Sequence, residues 1–220
     1  MKFEIQPKAI QKSKRKTLVL MVNSAGELIV KAPLKCKEEH IAKFIAEKSA
    51  WILKKQQEAK DSINRKIVIE NDKEISILGQ TYTIRLQNVS RCKFSNCDII
   101  VPNQNSQTKF VNFLKGQAKK YINDRVEFYS QRYGFSHKGI SITSATSRWG
   151  SCGGKNTLNF TFKLMLCPIE VVDYVVVHEL CHTKQKNHSL KFWQLVAEIL
   201  PNYKTLRRWL KTNNWIIISL

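Results

Sequence analysis

The apolar positions of this chain change period several times, and each change marks an expected element. Residues 16–32, KTLVLMVNSAGELIVKA, alternate apolar and polar on either side of Ser24-Ala25-Gly26, which predicts a β-hairpin turning there. From 38 to 60 the period lengthens. Ile41, Phe44, Ile45, Ile52 and Leu53 fall at helical spacing beyond Pro33, which predicts one basic amphipathic helix. Short strand-like runs return at 66–70, 74–78, 80–87 and 98–101, with Gly79 and Asn96 as turn points. A helix over 109–133 follows the polar stretch PNQNSQT at 102–108, carries Phe110, Leu114, Ala118, Ile122 and Val126, and ends at Gly134. Residues 140–166 read as a hairpin turning at Gly153-Gly154, and its 157–164 strand is a candidate edge for an extended peptide to join. Pro168 opens a helix over 169–184, and two more, near 189–199 and 203–212, lead to the closing WIIISL. The expected fold class is α+β: a β-rich N-terminal region over 1–105 with one helix, then a second domain over 106–220.

Composition narrows the class. The 220 residues suffice for one large domain or two small ones, and 43% hydrophobic residues argue against disorder. Six cysteines form no disulfide framework, and Cys92 and Cys97 make only a weak zinc signal without a second pair, so reduced thiols in a cytoplasmic protein are expected. No run is long and apolar enough to span a bilayer, and the KSKRKTLVLMV stretch lacks the features of a signal peptide, so no membrane association is expected. The charge is the strongest bulk feature. Thirty-seven lysines and arginines stand against 17 acids, for a formal net charge of +20. Such a field attracts polyanions, which makes DNA or RNA a candidate partner. The lysines are nevertheless spread along the chain, as a biased composition would also leave them.

The candidate chemistry sits in VVVHELCHTKQKNH, residues 175–188. His178 and His182 are four apart, so a helix puts both imidazoles on one face, within reach of a single metal ion. Glu179 lies next to the first histidine and can serve as general base to a water on that ion. The alternative is a core helix with two satisfied histidines, but a buried glutamate beside two imidazoles is costly without a cation to compensate it. Zinc needs a third ligand. His188, six past His182, is favoured over Glu198, provided the helix stops between them, and Asn187 is the residue expected to adopt a left-handed conformation at that stop. Ser189 stands where the next helix needs a cap. Metzincins share the H-E-x-x-H-x5-H spacing but carry glycine where this chain has Gln185, and no later methionine supplies their Met-turn. Arg148 and Tyr203 are candidates to stabilise a developing oxyanion. Cys181, Phe192, Trp193, Trp209 and Trp215 read as packing.

HELCHTKQKNHSLKFW resembles the YgjP-like metallopeptidase family, a relative of the SprT-like and WLM zincins. RWGSC at 148–152, TLNFTFKLMLCP with Asn159, DYVVVHEL at 173–180 and PNYKTLRRWL at 201–210 extend the resemblance, and KSKRKTLVL, GELIVKAP and IAEKSAWI carry it to the N-terminal region. The resemblance implies a compact zincin-like domain built on an HExxH active-site helix, with His178, His182 and His188 on zinc and Glu179 as the base. It implies hydrolysis of a peptide or protein substrate, and the SprT-like relatives suggest nucleic-acid association by analogy. Two other readings keep part of this chemistry. The same activated water could attack a nucleotide phosphoanhydride, or the protein could be a basic nucleic-acid-binding module with a structural zinc. Three histidines without a closing fourth ligand argue against the last.

Overall fold

The computed structural model describes residues 5–23, 25–64 and 66–220, with the backbone alone at 62–64. Two compact units divide the chain, 1–66 and 67–218. Six α-helices and three small sheets among the described residues make a mixed α+β fold. None of the helices is long and apolar enough to cross a membrane.

In the first unit, β1 (Ala9–Ser13), β2 (Val19–Val22) and β3 (Leu28–Pro33) form a sheet in the order β1-β3-β2. The expected hairpin is the antiparallel β2–β3 pair. Asn23 shapes its turn, the Oδ1 accepting hydrogen bonds from the amides of Ala25 and Glu27. Ser24, expected at the same turn, lies outside the described residues. β1 pairs parallel to β3 and was not legible, because its AIQKS sequence has no apolar alternation and stays largely exposed. The single helix expected over 38–60 is two, α1 (Glu38–Glu47) and α2 (Ser49–Asn64). The break comes at Lys48, whose amide is shared between the carbonyls of Phe44 and Ile45, at 3.2 Å each. Ile41, Ile45 and Ile52 stay buried with Leu28, Val30 and Ala32 in this unit's own core, while Leu53 is exposed.

The second unit holds two sheets. β4 (Glu74–Ile77), β5 (Gln80–Gln87), β6 (Lys93–Ser95) and β7 (Asp98–Pro102) run in the order β4-β5-β7-β6. Leu78 and Gly79 turn the β4–β5 hairpin at φ 51° and 83°, the left-handed pair that a two-residue hairpin loop requires. Asn96 turns β6 into β7 at φ 52°. The strand expected at 66–70 is absent. Its backbone bonds to a side chain instead: Gln107 accepts from the Ile69 amide and donates to the Ile67 carbonyl. The boundary expected between 105 and 106 falls inside this unit, because Phe110 and Leu114 of α3 (Ser106–Tyr133) share one core with Ile84, Ile99 and Val101.

The third sheet lies against the candidate site. β8 (Gly139–Thr143), β9 (Gly150–Cys152) and β10 (Thr157–Thr161) run in the order β8-β10-β9. The hairpin expected over 140–166 exists only as β9–β10, turning through 153–156; β8 pairs parallel to β10. That parallel pairing uses the second side of β10, so the strand expected to be an open edge is the central one. The edges of this sheet are β8 and β9, and β9 is the one beside Glu179. A 3-10 turn at Phe162–Leu166 leads to α4 (Ile169–Lys184), α5 (Leu190–Ile199) and α6 (Tyr203–Thr212), close to the expected spans.

Candidate metal centre

Valine is a mediocre helix former, and α4 carries five of them. Burial decides in favour of the helix: Val171, Val172, Val175, Val176, Val177, Leu180 and Cys181 are all sealed in the core. Cys181 is therefore packing, as expected. The polar residues of α4 each have a local reason. Asp173 takes a two-pronged ion pair from Arg125 of α3, with Nε to Oδ1 at 2.6 Å and Nη2 to Oδ2 at 2.8 Å. His178, Glu179 and His182 converge at the other end.

One potential ligand atom from each of His178, His182 and His188 lies within 4.8 Å of the others. The Nε2 atoms of His178 and His188 face each other at 3.1 Å. Tetrahedral zinc with Zn–N bonds of ~2.05 Å places its nitrogens about 3.4 Å apart, so small shifts would close the set around one ion. The protonation states suit a metal. Burial holds the His178 imidazole near a pKa of about 3, helped by the neighbouring His182 and His188, and burial also lowers His182. Neutral rings keep their lone pairs. His182 donates from Nδ1 to the carbonyl of Gln185 at 2.9 Å, which leaves Nε2 as the free donor atom of that ring. The buried His178 Nδ1 has no hydrogen-bond partner. The donor set therefore fits a divalent metal of the zinc type.

His188 reaches the cluster because α4 stops at Lys184. The expected left-handed residue is not used. Asn187 is not in that region, and the reversal is made by Gln185 in extended conformation at φ −128°, ψ 102°. Lys186 straps the intervening loop to the β9–β10 turn through the Gly153 carbonyl, at 3.3 Å, and the Asn156 side chain. Ser189 does occupy the N-cap of α5, without a side-chain capping bond; its amide instead donates to Asn187 Oδ1. Glu198, the alternative ligand, is exposed and outside the cluster.

Phe192 is buried packing and also the floor of the site. Its ring stacks on His182 at 4.5 Å and meets His178 and His188 edge-on at 4.9 Å each. Trp193 stacks on His188 at 5.5 Å, and Tyr203 stacks behind Trp193 at 5.4 Å. Arg207 caps the same indole at 4.8 Å. Tyr203 therefore touches the site through an intervening ring.

Glu179 is only 6% exposed. Burial raises its pKa to about 8, against the pull of Arg148. It lines a cavity of about 270 Å³ with His178, Arg148, Gly150 and Tyr174. A Cβ built on Gly150 would lie 2.7 Å from Glu179 Cγ and 2.8 Å from Oε1, so only glycine admits the carboxyl there. Gly150 and Tyr174 were not singled out from the sequence. Tyr174 had a signal, four residues before His178 on the same helical face, and its ring meets His178 edge-on at 5.8 Å. Gly150 lies within the RWGSC stretch that carries the resemblance, but nothing in the sequence points to its neighbour, which comes from another element.

Comparison with protein families gives one match that spans most of the chain: the family described as YgjP-like, metallopeptidase domain, covers residues 16–213. Searches of curated proteins and of solved structures each returned no significant match.

Proposed function

The chain belongs to the YgjP-like metallopeptidase family, and from that premise we propose that it is a zinc-dependent peptidase of the HExxH zincin type. The observation that carries this reading is the convergence of three imidazoles beside a buried carboxylate that opens onto a cavity. His178, His182 and His188 hold the metal. Zinc, when bound, supplies Lewis acidity, making water acidic near neutral pH and polarising a carbonyl. Glu179 takes the proton from the attacking water at its carboxylate and delivers it to the leaving amine. Tyr174 and Phe192 keep bulk water from the ligands. An extended peptide binds along the free edge of β9, whose first residue touches Glu179. Arg148, which lines the cavity, is better placed than Tyr203 to meet a developing oxyanion.

A cytoplasmic location fits the six free cysteines. The test is metal analysis of the purified protein together with peptide hydrolysis, with Glu179→Gln as the blank. Stoichiometric zinc and cleavage lost in Glu179→Gln are the expected results. Cleavage that survives the substitution refutes Glu179 as base, and hydrolysis of nucleoside triphosphates in place of peptides refutes the peptidase reading.

A further inference from the structure

Beside the metal centre lies a second cavity, of about 300 Å³, on the opposite face of the β8-β10-β9 sheet. Strand alternation builds it. Leu158 and Phe160 of β10 point into the core, so Asn159 and Thr161 point the other way. Thr161 is registered with Thr143 of β8, and Asn159 with Ser151 of β9. These four residues line the cavity with Arg148 and Gly150, and the last two also line the cavity that holds Glu179. The two spaces therefore adjoin at the first residue of the edge strand.

The lining comes from Thr143, Ala145, Gly150, Ser151, Asn159 and Thr161, and its one charged group is the exposed Arg148, whose charge also acts on Glu179. Thr143 and Thr161 spend their hydroxyls on the carbonyls of Phe160 and Ala145. Asn159 donates to Ser151 Oγ at 3.4 Å, which leaves the Ser151 hydroxyl hydrogen free to donate. Arg148 makes no hydrogen bond or ion pair among the described residues, and no carboxylate lines this cavity. Five guanidinium N–H donors with no internal acceptor match a carboxylate from outside. An extended peptide on β9 points successive side chains to opposite faces of the sheet, so a residue next to the scissile bond projects into this space.

We propose that this cavity is a specificity subsite for an acidic side chain adjacent to the cleaved bond, with Arg148 as the residue that reads its carboxylate. The subsite rests on the peptidase reading above and names its substrate class: peptides with aspartate or glutamate beside the scissile bond. Arg148 then contacts substrate through a side chain, not only through the reacting carbonyl.

The experiment uses the full-length zinc-loaded protein and a peptide set that varies one residue, among Glu, Asp, Gln, Leu and Lys, at each position flanking the cleavage site. Glutamate is expected to exceed its neutral isostere glutamine in kcat/KM by about tenfold, and lysine by more. Arg148→Gln brings the Glu/Gln ratio to about one, and Arg148→Glu inverts the preference toward lysine, with melting temperatures unchanged. Binding of the same peptides to zinc-loaded Glu179→Gln is measured in parallel. Glutamate-dependent binding that Arg148→Gln abolishes, without hydrolysis by the wild type, upholds the subsite and removes the peptidase reading. Equal treatment of Glu, Gln and Lys in both assays overturns the subsite. So does an Arg148→Gln defect of the same factor in kcat on every peptide, which would assign Arg148 to the oxyanion. Arg148-dependent hydrolysis of nucleoside triphosphates with no discrimination among peptides overturns it as well.

Discussion

As the proposed general base, Glu179 would meet two demands that conflict. A general base must be ionised when water is deprotonated, yet its carboxyl is buried and its pKa is pushed up to about 8. A nearby cation resolves the conflict, so the penalty is largest in the metal-free chain. Glu179→Gln is expected to lower kcat by about 10³-fold. It should also leave the metal-free protein melting no lower than metal-free wild type, because the amide is isosteric and neutral. Thermal melts after chelation check the second outcome. Gly150 makes the complementary point. Gly150→Ala sets a methyl 2.7 Å from Glu179 Cγ, and displacing the carboxyl is expected to cut activity by about 10²-fold while zinc content stays stoichiometric. Metal analysis and kinetics on one preparation separate the two effects. A general packing failure would lower both.

At the scale of elements, the valine-rich α4 stays helical because its neighbours cover it, and two contacts hold it in register. One is the Arg125–Asp173 pair to α3; the other is the ring of Phe192 from α5 beneath all three imidazoles. Asp173→Asn is expected to cost about 2 kcal/mol in urea unfolding, the pair being partly open to solvent on the arginine side. Phe192→Ala should cost about 3–5 kcal/mol and weaken zinc retention in a chelator competition, since it removes the floor that orients the rings. The helices of the second unit were legible because long apolar periods survive burial on several sides. Sheet pairing was not. Nothing in 140–166 says that β8 runs parallel to β10, and that one choice makes β10 the central strand and leaves β8 and β9 as the edges. The three histidines and the glutamate were legible because they fall within eleven consecutive residues. Gly150 and the cavity beyond it were not, because they depend on a strand arriving from elsewhere in the chain. The Lys48 break escaped the pattern for a different reason: Ile45 and Ile52 are seven apart, a spacing that fits one face of an unbroken helix.

On the scale of the whole molecule, a formal net charge of +20 makes retention by a polyanion the expected default. We propose that nucleic acid is a partner of this protein. Duplex DNA should bind in 50 mM salt, and log K should fall linearly with log salt, with a slope that counts the phosphates engaged. Absence of binding at that salt removes the proposal. The lysine strap between the ligand loop and the β9–β10 turn bears on how such a protein could arise. On the proposed mechanism, the metal ligands come from one helix and the turn after it, with Phe192 of the next helix beneath them, so the metal site is encoded in one short stretch. The proposed hydrolysis would also draw on Gly150 and an edge strand encoded some thirty positions upstream. The two capacities have separable inheritance. On the proposed mechanism, a descendant that keeps the histidines but fills position 150 would retain the metal site and lose most of its activity.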